Sequence, residues 1–420
     1  MQNWARNITF EAKRVHRPAT VEETRAIVLG AQKVRTLGSR HSFNRIADTP
    51  EDLISTEAMT RIVGLDEARS QVTIEGGVRY GELGRYLDER GYALHNFASL
   101  PHISVAGGAA TATHGSGIHN GNLATPIAAI EFVRADGELI RLSRDEDPET
   151  FPGAVVNLGG LGPVVRLTLD VEPAFRVAQT VYEALPLDLA RANFEEIESK
   201  GYSVSMFTHW AGEKGQGQID QLWIKRRMDD GGTFPDEVFG ARKADGPRHP
   251  IAGMAQENCT PQMGEPGPWD DRLPHFRYKF TPSSGEELQS EYILPRAHAA
   301  DALGALDEIR DLIAPLLLIS EIRTVAADGL WMSPSYGVAC VCIHFTWHPK
   351  WEEVREVLPR IEAALAPFGA KPHWGKLFTM APDRVRSLFE RANDFDALLR
   401  THDPKGKFRN EFLTEILGAV

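Results

Sequence analysis

The groups in this chain best able to do chemistry are two opposite charges in a strand-like run, a lysine among aromatic and apolar residues, and a histidine inside a glycine turn. In Ile319-Ser320-Glu321-Ile322-Arg323-Thr324-Val325 the two-residue period of a strand puts Glu321 and Arg323 on one face with Ile319 and Val325. Such a pair is either a structural ion pair or part of a pocket for a polar, hydroxylated substrate. Lys376, in Lys371-Pro372-His373-Trp374-Gly375-Lys376-Leu377-Phe378, can simply snorkel. With Arg323 nearby, however, desolvation and a like charge both lower its pKa and make it the best candidate base. From Val338 to His348, alternation places Cys340, Cys342, His344, Thr346 and His348 on one face, which resembles a metal-ligand list. A strand rises about 3.3 Å per residue, so Cys340 and His348 stand roughly 26 Å apart and cannot share one ion. No metal is expected, and His344 and Thr346 read as neighbouring hydrogen-bonding groups.

The histidine is His41, in Thr36-Leu37-Gly38-Ser39-Arg40-His41-Ser42-Phe43-Asn44. This turn follows the strand-like run Val34 to Leu37 and presents successive backbone N–H groups, which suits a phosphate or pyrophosphate. The imidazole itself is open to three roles: hydrogen-bonding group, metal ligand, or nucleophile toward a cofactor. Residues Leu94 to Asn122 are poor in charge and rich in Gly, Ala, Ser, Thr and His. Small residues at that density let the backbone approach a large flat ligand, whereas any single glycine there is ordinary turn punctuation. Gly159-Gly160-Leu161-Gly162-Pro163 is a further tight turn, but no helix follows it, so it is not the dinucleotide fingerprint.

Positioning these groups requires a mixed framework. Thr20 is an N-cap with Glu23 at capping-box spacing, opening an amphipathic helix that runs to about Lys33. Ser70 to Glu75 alternates like a strand, Tyr80 to Arg90 reads as a helix, and Ile127 to Arg134 with Leu139 to Leu142 forms a hairpin across Ala135-Asp136-Gly137-Glu138. Val164 to Leu169 is a β-branched strand. From about Pro173 the texture changes to longer alternating strands, including an antiparallel pair at Ser203 to Phe207 and Gln221 to Lys225. Asp229 to Asp271 is crowded with Gly and Pro and shows no period, while Ala297 to Leu312 and Trp351 to Leu365 have helical apolar spacing. The expected fold class is α+β, in two domains.

Composition bounds the partners. The 420 residues are 42% hydrophobic, with 58 acidic against 46 basic side chains and a net charge of −12. No long Lys/Arg run is present, which argues against nucleic acid or an anionic membrane as partner. The longest apolar stretch, Leu312 to Ile319, is interrupted by Pro315 and falls far short of the roughly 20 residues that span a bilayer. The first residues, Met1 to Val15, show no apolar signal region. With only three cysteines, Cys259, Cys340 and Cys342, no disulfide framework is implied, and a soluble cytoplasmic protein is expected.

Several segments together resemble the vanillyl-alcohol-oxidase-type flavoproteins, with a PCMH-type FAD-binding domain, and within them the alditol (xylitol) oxidases and the related aldonolactone oxidases. They are Gly38-Ser39-Arg40-His41-Ser42-Phe43, Ala98-Ser99-Leu100-Pro101-His102-Ile103-Ser104, Thr113-His114-Gly115-Ser116-Gly117, Leu288-Gln289-Ser290-Glu291-Tyr292, Glu321-Ile322-Arg323-Thr324-Val325, His344-Phe345-Thr346-Trp347 and His373-Trp374-Gly375-Lys376. The resemblance implies FAD bound covalently through His41. It further implies a cofactor site of Thr36, Leu37, Gly38, Ser39, Arg40, His41, Ser42, Ser99, Ser104, Gly107, Gly108, Ala109 and Ala110, with His114, Val164 and His373 close by. Ser99, Gln289, Glu321, Arg323, Thr346 and Lys376 would face the substrate, beside His344. Residues 1–172 would form the FAD-binding domain, 173–375 a substrate (cap) domain on an antiparallel sheet flanked by helices, and 376–420 a segment returning to the FAD domain.

The implied reaction is oxidation of the terminal alcohol of a polyol such as xylitol, sorbitol or glycerol, with O2 reduced to H2O2. Lys376 would take the hydroxyl proton, Arg323 would stabilise developing negative charge, and Glu321 and His344 would help hold the hydroxyls. Arg40 stands where the alditol oxidases have glycine and looks like the gulonolactone-type relatives; His95-Asn96-Phe97 replaces their Pro-Asn-Met. The oxygen-gating position falls on Ala98. An aldonolactone oxidase or dehydrogenase is the alternative enzyme, and a non-catalytic flavin- or metal-binding protein the alternative of another class.

Overall fold

The computed structural model describes residues 1–279 and 286–419. Residues 280–285, within the expected cap domain, and Val420, at the end of the expected return segment, lie outside the described residues. The first helix, Val21–Gly30, is capped as its sequence requires: Thr20 Oγ1 accepts from the Glu23 N–H at 3.1 Å. The Glu23 carboxylate reaches back to the N–H of Ala19 rather than Thr20, at 2.7 Å. The helix stops three residues short of Lys33, because Ala31 is already extended and Val34 begins a strand. That strand, Val34–Leu37, pairs in parallel with Asp52–Ser55, which pairs in parallel with Arg14–His16.

A five-stranded antiparallel sheet follows, in the order Ile62–Asp66, Gln71–Glu75, Val164–Asp170, Ile127–Val133, Leu139–Ser143. The expected hairpin is present, while the helix expected from Tyr80 to Arg90 ends at Asp88. The third sheet is wholly antiparallel and has ten strands, all between Arg176 and Pro372. Its centre runs Gln218–Arg227, Ser203–Thr208, Leu317–Val325, Cys340–Trp347, Leu288–Pro295. The aperiodic stretch 229–271 contributes short strands to it, Glu237–Val238, Ala241–Lys243 and Gly267–Pro268.

Alternation gives this large sheet two unlike faces. Leu288, Tyr292, Leu294, Ile322, Val341, Ile343, Phe345 and Trp347 pack with the helices Ala299–Asp307 and Trp351–Leu365 in one apolar core. Residues one position out of phase, Gln289, Glu291, Glu321, Arg323, His344 and Thr346, line a cavity on the opposite face. Cys340 and Cys342 share that face but sit in a separate apolar cluster with Ile293 and Val325, and His348 lies beyond the strand end. The helix expected over Ala297 to Leu312 is broken into Ala299–Asp307 and Arg310–Ile313. Buried Arg310 turns inward there to donate to the carbonyls of Trp210 and Glu213.

Candidate active site

A cavity of about 300 Å³ runs from the His41 turn to the polar face of the large sheet. At one end stands the 36–44 turn. The Trp4 ring stacks on His41 at 5.4 Å between centroids, and among the described residues no side chain bonds either of the buried His41 ring nitrogens. Burial above all pushes the His41 pKa down to about 3, so the ring is neutral over the working pH range. The turn is held against the 99–110 segment by reciprocal serine bonds: Ser104 N–H donates to Ser39 Oγ at 2.9 Å and Ser39 N–H to Ser104 Oγ at 3.3 Å. Gly38 is required by this approach, since a Cβ there would lie 2.4 Å from Ser104 Oγ. Arg40 has φ +65°, a left-handed conformation that glycine adopts more readily than a residue with a side chain.

The same turn is bonded to the segment that bears the lysine. Phe43 N–H donates to Gly375 O at 2.8 Å, and the Asn44 amide donates to the carbonyls of Trp374 and Lys376, each at 2.8 Å. His41 and Lys376, far apart in sequence, are thereby fixed on one wall. The Lys376 ammonium lies 4.7 Å from the centre of the Phe43 ring and bonds Gln289 Oε1. Burial, reinforced by Arg323 against the opposing pull of Glu291, lowers its pKa to about 8.

Across the cavity, sheet register assembles the charges. Glu291 pairs with His344, and His344 pairs with Glu321, on three adjacent strands; two rows away, and so on the same face, Gln289 pairs with Thr346. Arg323 Nη2 donates to Glu291 Oε1 at 2.8 Å, its Nε stands 3.6 Å from Glu321 Oε1, and Nη1 reaches Ser99 Oγ at 3.4 Å. Glu291 also faces His114 Nε2 at 3.2 Å and His344 Nδ1 at 3.4 Å, while His344 Nε2 lies 3.1 Å from Thr346 Oγ1. Desolvation raises the carboxyl pKa values, but the Arg323 guanidinium and neighbouring imidazoles prevail and hold Glu321 and Glu291 well below the usual carboxylate range. Burial pushes the His344 pKa down and takes His373 to about 3.

Nearly all residues expected at the site line this cavity: Thr36, Leu37, Gly38, Ser39, Arg40, His41, Ser42, Ser99, Gly107, Gly108, Ala110, His114, Val164, Gln289, Glu321, Arg323, His344, Thr346, His373 and Lys376. Ser104 and Ala109 do not line it. Both are buried one layer back, Ser104 bracing the His41 turn and Ala109 in the apolar core. Glu291 and His275 were missed. Glu291 shares a face with Gln289 two residues earlier, so strand alternation could have found it; His275 lies in a segment without period. The ligating atoms of His114, Glu291 and His373 lie within 4.8 Å of one another. The guanidinium of Arg323 already stands at the carboxylate of that trio, and His373 Nδ1 already accepts from Gly375 N–H at 3.0 Å, so the donors serve an ion-pair network.

Comparison with known proteins agrees with this geometry. Residues 12–143 match the FAD binding domain model, and residues 284–416 match that of D-arabinono-1,4-lactone oxidase. An alditol oxidase of a Streptomyces species is 50% identical over 99% of this chain and 98% of its own. The chain belongs to the alditol oxidase family of vanillyl-alcohol-oxidase-type flavoproteins. An L-gulono-1,4-lactone dehydrogenase of Mycobacterium tuberculosis is 26% identical over 99% of this chain and 98% of its own. In fold, the family member resembles cholesterol oxidase from B. sterolicum, with a TM-score of 0.77 at 15% identity over 99% of this chain and 96% of the other. The α+β architecture is therefore a PCMH-type FAD-binding fold with a second unit on an antiparallel sheet. No helix among the described residues is long and apolar enough to cross a membrane.

The residues present fit FAD. Among the described residues no side chain bonds the His41 ring nitrogens, and Gly38 and Gly107, which line the cavity, pack so closely on Ser104 that a Cβ would lie 2.4 and 2.7 Å from its Oγ, so the backbone there stays bare toward a ligand.

Proposed function

We propose that this protein is an FAD-dependent alditol oxidase that oxidises the terminal primary alcohol of polyols of the xylitol, sorbitol and glycerol type, with O2 as acceptor and H2O2 as product. The observation that carries the reading is the single cavity joining the unpartnered His41 imidazole to the Glu321–Arg323–Lys376 cluster. The likeness to the alditol oxidase supports the same substrate class. His41 is the proposed covalent attachment point for FAD, which when bound supplies the hydride acceptor and the route of electrons to O2.

The protein's own part is positioning and proton transfer. Lys376, neutral above about pH 8, accepts the proton of the reacting hydroxyl. Arg323, held charged by Glu321 and Glu291, stabilises the alkoxide character that develops on the same oxygen. Ser99, Gln289, Glu321 and Thr346 bind the remaining hydroxyls and set the terminal carbon in register, with His344 held between Glu291 and Thr346. Residues 1–172 and 376–420 make the FAD-binding part and 173–375 the substrate part of an enzyme working in the cytoplasm.

Acid precipitation of the purified protein should leave the yellow colour in the pellet; a colourless pellet removes the covalent link. H2O2 release is expected with a panel of polyols. Activity confined to aldonolactones, or dye reduction without H2O2, replaces the reading with a lactone oxidase or dehydrogenase, which the lactone-type residue Arg40 favours.

A further inference from the structure

Behind Glu321 lies a buried ammonium that the proposed chemistry does not use. Lys225, in the Gln218–Arg227 strand, is 1% exposed and makes no ion pair with a carboxylate among the described residues. Its three N–H donors go to the carbonyl of Leu273, the carbonyl of Pro274 at 3.0 Å, and His275 Nδ1 at 3.1 Å. The other nitrogen of His275, itself 4% exposed, stands 2.7 Å from Glu321 Oε1. These contacts define one arrangement of protons. An ionised Glu321 can only accept, so His275 Nε2 carries the hydrogen, Nδ1 is a lone pair, and Lys225 donates to it. The imidazole cannot adopt the other tautomer without setting a lone pair against the carboxylate.

Glu321 Oε1 is therefore occupied by His275, with the Arg323 guanidinium 3.6 Å away. Its Oε2 makes no protein hydrogen bond among the described residues, and Glu321 lines the cavity. The carboxylates of Glu291 and Glu321 are matched by Arg323 and, while it keeps its proton, by Lys225, whose pKa burial lowers to about 7. We infer that His275 and Lys225 are positioning residues for substrate recognition, fixing Glu321 as an ionised acceptor whose Oε2 takes a hydroxyl donor of the polyol chain. The inference rests on the proposed polyol activity and adds to it the device that orients its acceptor.

His275 faces Lys225 from one strand, Glu321 and Arg323 from another and Ser205 Oγ at 3.4 Å from a third, within a cage of Phe207, Trp223 and Phe276 rings. Burial first, and then the Lys225 charge, hold its pKa near 4. Removing that cation lets the imidazole gain a proton closer to neutrality and cancel the Glu321 charge.

The test uses holoenzyme with xylitol, reading KM and kcat separately and, by calorimetry, the dissociation constant of xylitol for the anaerobically reduced enzyme. His275→Leu, similar in size but without polar atoms, should raise both KM and the dissociation constant roughly tenfold or more with a smaller change in kcat. His275→Gln, which keeps an acceptor for Lys225 and a donor for Glu321, should restore most of the loss. Lys225→Met should add a second ionisation to the acid limb of the kcat/KM profile, below the one set by Lys376, so that its slope steepens from one toward two, which lost packing alone does not do, and it carries the test should His275→Leu fail to fold. Wild-type affinity in folded His275→Leu, a Gln variant no better than Leu, or an acid limb of unchanged slope in Lys225→Met overturns the inference. A wild-type enzyme that oxidises no polyol removes the activity reading and this inference together, whereas an active wild type with indifferent variants removes the inference alone.

Discussion

At Lys376, burial outweighs the attraction of Glu291, and the ammonium gives up its proton at about pH 8 instead of its ordinary 10.5. The proton-accepting form is the minority below that pH and the majority above it. Flavin reduction by a polyol, followed by stopped flow, should therefore rise with pH through about 8 and then level off. Lys376→Met removes the acceptor but leaves the 36–44 turn, the proposed FAD contact, in place, so reduction should slow by about 10²- to 10⁴-fold with bound flavin unchanged. An unaltered reduction rate takes Lys376 out of its role. Gln289 is the residue that aims this lysine, because its carbonyl oxygen holds the Lys376 Nζ while its amide donates to Glu287 Oε1 at 2.6 Å. The Gln289 amide thus joins the candidate base to a carboxylate that also lines the cavity.

Elements with one unambiguous period were legible in sequence, and those that depend on distant partners were not. The Leu317–Val325, Cys340–Trp347 and Ser203–Thr208 strands alternate cleanly, so the face carrying Glu321 and Arg323 follows from a period of two. Nothing local announces Glu237–Val238 or Ala241–Lys243, two- and three-residue strands that exist only because Arg176–Pro186 offers an edge. The same holds for His275, placed by Lys225 and Ser99 rather than by its neighbours. Helix Phe194–Glu198 shows how such partners tune an element. Its Glu198 is wholly buried behind the active strand, accepts from Thr324 Oγ1 at 2.8 Å, and has its pKa raised by burial to about 8. Between the unfolded value near 4.5 and about 8 the native state holds a proton that the unfolded chain has released. The native-state stability from this group is full below that window and falls as pH rises through it. Glu198→Gln keeps the hydrogen bond without the titration, so thermal unfolding should match wild type near pH 4.5 and occur at a higher temperature near pH 8. Equal melting temperatures at pH 8 would show that Glu198 ionises freely.

On the scale of the whole molecule, the His41 end of the cavity depends on chain segments drawn from both ends of the sequence. Val34 N–H donates to Lys407 O at 3.0 Å, Lys407 Nζ to Val28 O at 2.6 Å, and Lys33 Nζ to Gly406 O at 2.5 Å. Phe408 closes the small core of Val34, Val133 and Val165. Arg35 is the centre of this closure. It is 2% exposed, makes no ion pair with a carboxylate among the described residues, and donates to the carbonyls of Leu158, Gly159 and Phe408, each at 2.8 Å, and of Ile46. One guanidinium thus ties together the strand before the His41 turn, the 157–162 glycine turn and the returning C-terminal segment. A guanidinium delocalises its charge over a planar fork of donors, which suits it to a ring of carbonyls better than the point charge of lysine. Burial lowers its pKa to about 9, still leaving it charged at neutral pH. Arg35→Met leaves four buried carbonyls short of a donor and should cost about 3 kcal/mol or more. Because the segments it joins shape the His41 end of the cavity, where FAD is proposed to bind, loss of stability should be accompanied by lower flavin content at expression. Denaturant unfolding and the flavin-to-protein absorbance ratio would read the two effects. Arg35→Lys restores the charge but not the fork, so it should recover only part of both; full recovery with lysine would show that charge alone, rather than the geometry of the carbonyl ring, holds the chain ends at the cofactor site.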